Sequence, residues 1–220
     1  MRKNFILLAA IISLSITIHI VPFFIYSSHP LGYDTGFYRR YLIQPQYSFP
    51  NTAVPGLGSD ALVTRAFLDI IRLSGLPPDV ILYGSYILLF AVQAVILFYF
   101  VRYYWGNSAG FITTFLLTIS PVQYSAYWFM FFKNALALPL MLVAFLALER
   151  GSHWAILFGA LVVASHHTTG IIFLLTLAIY LILKRENRIV ALQTSAAAFL
   201  VFLFLHHADI KEYLDAPIAV

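Results

Sequence analysis

The chain has 220 residues, of which 61% are hydrophobic and 10% charged, with a formal charge of +4 and no cysteine; its mean hydropathy is +0.87. A soluble domain carries about 25% charged residues, so this composition excludes a soluble enzyme, a disordered tail and a nucleic-acid-binding module. The basic excess then reads as a determinant of membrane orientation rather than a nucleic-acid footprint, and disulfides, thiolate metal sites and thiol catalysis drop out.

In chain order, the first apolar run covers 5–26, behind Arg2 and Lys3. A helix rises about 1.5 Å per residue, so about 20 residues cross a hydrocarbon core of roughly 30 Å. The run is longer than the roughly 7–15 apolar residues of a signal peptide and no small-x-small cleavage site follows. It reads as a retained helix with the N-terminus in the cytoplasm. A polar stretch, 27–79, comes next and is the longest in the chain. Further apolar runs lie at 80–103, 108–123, 134–149, 154–165, 170–183 and 189–207. These runs predict one all-α domain over 1–220, a polytopic transmembrane helix bundle of about seven spans in the plasma membrane. Neither an internal repeat nor a low-complexity segment is evident.

Counting crossings puts Arg102, Arg150, Lys184, Arg185 and Arg188 on the same side as Arg2 and Lys3, as the positive-inside rule requires. The outer loop and the tail from Asp209 then hold Asp34, Asp60, Asp69, Asp79, Asp209, Glu212 and Asp215. The segment 154–183 reads either as one helix or as a hairpin turning at His166-His167-Thr168-Thr169-Gly170, with Gly170 as the break. Only the hairpin keeps Arg150 and the Lys184-Arg185-Arg188 cluster together. Its first arm spans roughly 18 Å, so the turn is sunk below the outer surface, where irregular backbone survives only beside protein or a water-filled cavity. That predicts an outward-facing polar cavity.

The second half of the outer loop reads as a helix with Ser59 as N-cap, Asp60 at the positive end of the dipole and Gly75-Leu76-Pro77-Pro78 as the stop. Val63, Ala66, Phe67, Ile70 and Ile71 share one face and Arg65, Asp69 and Arg72 lie on others. Such an amphipathic helix rests in the outer interface. The first half, His29-Pro30-Leu31-Gly32-Tyr33-Asp34-Thr35-Gly36-Phe37-Tyr38-Arg39-Arg40, is chemically denser. Asp34 suits a general base or an oxygen ligand for a divalent cation, and Arg39 and Arg40 suit phosphate oxygens. The alternative is an Asx-turn at Asp34 and arginines that pair with lipid headgroups.

A first transmembrane helix followed at once by "GYDTGFYRR" resembles the GT-C superfamily of membrane glycosyltransferases. The "LTISPVQYSAYWFMFFKNALALPLMLVAFLALERG" run and the "GALVVASHHTTGIIFLLTLAIYLIL" hairpin are similar to that fold's later helices. The likeness covers roughly 1–205 and rests on the order of its parts. It implies an enzyme that takes a sugar from a polyprenyl-phosphate-linked donor to an acceptor glycan, lipid or protein on the outer face, usually with inversion. It also implies that the first-loop acid, here Asp34, activates the acceptor directly or through Mg2+ or Mn2+. The chain has fewer spans than most members and lacks their C-terminal outer domain, which implies a reduced or truncated member.

Within that resemblance, His166 and His167 at the turn bind phosphate, or are turn residues bonded to nearby backbone. Lys133, after the aromatic run 124–132, neutralises the departing carrier phosphate, or is a snorkelling lysine on an aromatic belt. Tyr33, Tyr38 and Trp128 are candidate contacts to sugar or prenyl chain. His206 and His207 read as an interfacial cap, and His19 as a helix-packing hydrogen bonder. Two rival functions are a non-catalytic protein that binds the carrier lipid, and a small secondary transporter with polar groups converging at the midplane. A transferase instead needs Asp34 within about 10 Å of His166 or Lys133, around one outward cavity.

Overall fold

Where no water competes for backbone hydrogen bonds, an apolar chain satisfies them internally as helix. The computed structural model shows that outcome throughout the residues it describes, which are 2–25, 32, 34–45, 61–122, 124 and 131–215. The helices are α1 (Arg2–Ile25), α2 (Thr35–Ile43), α3 (Leu62–Arg72), α4 (Pro78–Thr118), α5 (Phe132–Glu149), α6 (Trp154–Ser165), α7 (His167–Leu183) and α8 (Arg188–Asp215). Four segments are long and apolar enough to cross a membrane: Asn4–Ile25, Pro78–Thr118, Phe132–Glu149 and Arg188–Leu205.

The 41 residues of α4 do not run straight. Gly106 sits at φ 85° and ψ 178°, a combination open essentially to glycine alone. A Cβ on Gly110 would stand 3.0 Å from a ring carbon of Phe98 and 3.1 Å from its carbonyl oxygen. The rings of Phe98 and Phe111 are 4.7 Å apart. Residues so far apart along the chain meet only if it folds back at Gly106, which separates α4 into the two apolar runs read from the sequence.

The second fold-back is at His166, whose φ of −159° and ψ of 123° are extended. Gly159 of α6 lies against Phe173 of α7, 3.0 Å from where a Cβ would stand, and Gly170 lies 3.1 Å, on the same measure, from Val163 Cα. The segment 154–183 is therefore a hairpin, but Gly170 is not its break. It is buried inside α7, and its missing side chain lets the arms approach.

Two buried clusters hold the bundle. One joins α2, α3, α4 and the start of α5 through Tyr38, Tyr41, Leu68, Leu82, Tyr86, Phe90 and Phe132. The other joins α5 to α8 through Leu148, Val162, Val163, Phe173, Leu177, Ala191 and Ala198. At the far end of α5, Asn187 Nδ2 donates to the carbonyls of Leu148 and Glu149 at 3.1 and 3.0 Å. Lys184 Nζ pairs with Glu149 at 3.5 Å, and the Arg150 guanidinium lies over the Tyr103 ring at 5.7 Å. The basic residues 102, 150, 184, 185 and 188 thus gather at one end, while α2, α3, the head of α4 and the α6–α7 turn lie at the other.

Helix α3 starts at Leu62 with Ala61 as N-cap; Ser59 and Asp60 lie outside the described residues. Its polar side faces inward. Thr64, Arg65 and Leu68 are buried, whereas Ile70 is 67% and Leu73 84% exposed. Helix α8 continues through His206 and His207 to Asp215, beyond the expected end at 207.

Candidate functional site

Asp34 is the N-cap residue of α2, yet its side chain makes no capping hydrogen bond. Its backbone carbonyl accepts from the amides of Phe37 and Tyr38 at 3.1 and 3.4 Å, so the helix is started by main chain and the half-buried carboxylate is left for other work. Burial pushes its pKa up, and the nearby Lys133 ammonium pulls it back down. The structure therefore brings Asp34 within electrostatic reach of Lys133, on the first turn of α5.

That meeting depends on Phe132. This fully buried side chain packs on Tyr38 at 5.4 Å, Tyr86 at 5.7 Å and Phe67 at 5.8 Å between ring centroids. Rings from α2, α3 and α4 so fix the register of α5. Lys133 and Asn134 follow it on the first turn of α5, about 100° apart around the helix, and Asn134 lines a cavity.

The cavity has a volume of about 280 Å³ and is lined by Tyr86, Phe90, Gln93, Phe131, Asn134, Ala135, Leu138, His166, Thr168, Thr169 and Ile172. His166 caps α7: its Nδ1 accepts the Thr169 N–H at 3.4 Å. Thr169 Oγ1 lies between His166 Nδ1 at 2.9 Å and Asn134 Oδ1 at 3.4 Å, and its single proton serves one or the other. His167 is exposed, its ring 5.1 Å from that of His166. Gln93 is 6% exposed, and its Oε1 has no hydrogen-bond partner among the described residues.

The other predicted site residues divide. Arg39 Nε is paired with Asp79 Oδ1 at 2.8 Å, which ties α2 to the head of α4. Arg40 is exposed in the last turn of α2. Tyr38 is 1% exposed and belongs to the core, where its ring packs on Phe132. Tyr33 and Trp128 lie outside the described residues. His19 behaves as a packing residue, with Nδ1 2.7 Å from the Ser15 carbonyl and its ring stacked on Phe90 at 4.5 Å.

Two features escaped the sequence reading. Arg65 was placed away from the apolar face and is buried, its guanidinium 5.8 Å from the Tyr41 ring centroid. The Tyr41 hydroxyl donates to Asp69 at 2.8 Å, and burial pushes that phenol's pKa up, with Asp69 acting in the same direction. Gln93 was overlooked although a lone amide inside an apolar run is itself a signal. For a divalent ion, no group of three or more His, Asp or Glu side chains comes together among the described residues.

No family model matches this sequence, and no curated protein matches it.

Proposed function

We propose that the protein is a membrane glycosyltransferase of the GT-C type, which moves a sugar from a polyprenyl-phosphate-linked donor to an acceptor on the extracytoplasmic face. The single observation that carries this reading is that the half-buried Asp34 lies within electrostatic reach of Lys133, whose neighbour Asn134 lines a cavity. A carboxylate whose pKa is raised by burial is a better proton acceptor, and a restraining cation keeps it ionised.

In the reaction Asp34 takes the proton of an acceptor hydroxyl. The acceptor oxygen forms a bond to the anomeric carbon, and the bond from that carbon to the phosphate oxygen breaks with its electron pair. The polyprenyl phosphate departs as an anion beside Lys133, which offsets its charge. Asp34 then returns the proton to solvent. Attack opposite the leaving group inverts the anomeric centre.

The topology that fits is seven spans: α1, the two arms of α4, α5, α6, α7 and α8. Arg102, Arg150, Lys184, Arg185 and Arg188 share one end and mark it as cytoplasmic, with the N-terminus on that side of the plasma membrane. The exposed stripe of Leu62, Ile70 and Leu73 suits α3 to the outer interface, its apolar side in lipid.

The test is an assay of purified full chain with a panel of polyprenyl-linked sugars, with and without Mg2+ or Mn2+. Transfer to an acceptor supports the reading. Carrier binding without transfer from any donor replaces it with the non-catalytic carrier-binding alternative.

A further inference from the structure

The end of the bundle opposite Asp34 carries a charge that sugar transfer does not use. Arg102, Arg150, Lys184, Arg185 and Arg188 are all exposed there, in the company of two acids, Glu149 and Glu186. Lys184 Nζ lies 3.5 Å from Glu149. Among the described residues, none of the four arginines is paired with a carboxylate. Positive charge therefore exceeds what the fold itself neutralises.

Local structure anchors part of this charge. The loop 184–187 joins α7 to α8. Asn187 stands at φ 56°, a left-handed conformation that asparagine tolerates better than most residues. Its Nδ2 donates to the carbonyls of Leu148 and Glu149 at the end of α5. The close approach uses Gly151, where a Cβ would stand 2.7 Å from Asn187 Oδ1. Arg188 Nη2 donates to the Leu181 carbonyl at 3.4 Å. Arg185 and Arg188 are thus carried on a backbone tied to both α5 and α7, so little ordering is left for a ligand to impose.

The residues on either side of the loop are apolar and open. Ile182 is 78%, Leu183 75% and Ile189 73% exposed. Trp105, beside the Gly106 turn, and Trp154, at the start of α6, are exposed at the same end, as suits rings at a membrane boundary. The arginines therefore stand where a hydrocarbon-facing surface stops. A phospholipid matches both parts: its phosphate suits the guanidinium fork, and its chains cover the flanking aliphatic residues. An acidic protein would leave those residues uncovered. A zwitterionic headgroup brings a cation of its own, which the unneutralised arginines repel, so a net negative lipid fits best.

We propose that the α7–α8 loop is a binding site for an anionic phospholipid, with Arg185 and Arg188 on its phosphate and its chains along Ile182, Leu183 and Ile189. The site is independent of the transferase reading. It also goes beyond membrane orientation, which counts basic residues without regard to which cation stands where.

The experiment is thermal unfolding of the purified full chain in a nonionic detergent. The probes are phosphatidylglycerol and phosphatidylcholine with the same acyl chains, and glycerol 3-phosphate and inorganic phosphate serve as water-soluble controls. We expect phosphatidylglycerol to raise Tm saturably, by about 5 °C more than phosphatidylcholine at high occupancy, with no shift from the soluble phosphates. The double variant Arg185→Gln, Arg188→Gln keeps the Tm of the lipid-free protein, because both positions are exposed. It weakens the apparent affinity about 30-fold, near 5-fold for each charge removed. The double variant Arg185→Lys, Arg188→Lys keeps the charge, and with it the orientation, but loses the fork, so its response falls between the two. If the glutamine variant inserts wrongly or does not fold, the lysine variant decides. Equal shifts from the two lipids, an equal shift from a soluble phosphate, or a full phosphatidylglycerol response in either folded double variant overturns the assignment.

Discussion

Thr64 Oγ1 on α3 donates to the carbonyl of Ser165, the last residue of α6, at 3.3 Å across 101 residues of sequence. The bond fastens α3 to the α6–α7 turn, where His166 lines the cavity. It gives a helix-end carbonyl a partner where the helix itself supplies none. Thr64→Val keeps the shape of this fully buried side chain and removes the donor. The expected cost is about 1 kcal/mol, read as a Tm lowered by roughly 2–4 °C in detergent. An unchanged Tm would show that the bond does not hold α3 in place.

The fold-back in α4 gives a second prediction. A Cβ on Gly106 would meet nothing within 4 Å, so Gly106→Ala introduces no clash and tests backbone strain alone. At φ 85° and ψ 178° the alanine costs about 1–3 kcal/mol, whereas Ser108→Ala, at an exposed neighbouring position, stays within about 0.5 kcal/mol. Equal thermal stability of the two variants would mean that the chain does not turn at Gly106.

The third prediction concerns Lys133. Its charge opposes the rise that burial imposes on Asp34. In Lys133→Met the carboxyl pKa climbs further, less of the base is ionised at a given pH, and the acid limb of the transfer profile moves to higher pH. Loss of the countercharge to phosphate also lowers transfer on the order of 10²-fold. A lysine with a merely structural role would lower the amount of folded protein and leave the acid limb where it was.

Stability against pH supplies the fourth. A carboxyl whose folded pKa is raised favours folding in its protonated form, so its contribution is full in acid and is lost as pH rises through the raised value. Asp34 follows this sign because burial is the larger influence on it. Asp34→Asn should therefore match the wild type in acid and exceed it at neutral pH, by about 1–2 °C in Tm for a half-exposed group. A variant less stable than the wild type at neutral pH would give the carboxylate a structural duty instead.

Much of the scaffold was readable because apolar length and basic residues are one-dimensional signals. The gap between the apolar runs 80–103 and 108–123 separates the two arms of α4, and the need to keep Arg150 with Lys184 forces a hairpin at 154–183. The particulars of that hairpin were not readable: the turn falls on His166, and Gly170 serves close packing against Val163. The site was half readable. Asp34 and Lys133 stand out as charged residues beside apolar runs, but that the one comes within electrostatic reach of the other follows only from the packing around Phe132. Arg39 and Tyr38 carry the right chemistry for a substrate, yet their use was decided by neighbours distant in sequence, Asp79 and Phe132. Arg65 was misjudged because helical spacing sorts residues onto faces but does not say which face the neighbouring helices cover.

The most direct measurement is sugar transfer from a polyprenyl-linked donor by wild-type and Asp34→Asn protein, purified side by side and matched for folding by their unfolding profiles. The account predicts transfer by the wild type and a loss of roughly 10²–10⁴-fold in the variant, with donor binding retained. Transfer by Asp34→Asn at the wild-type rate would contradict it.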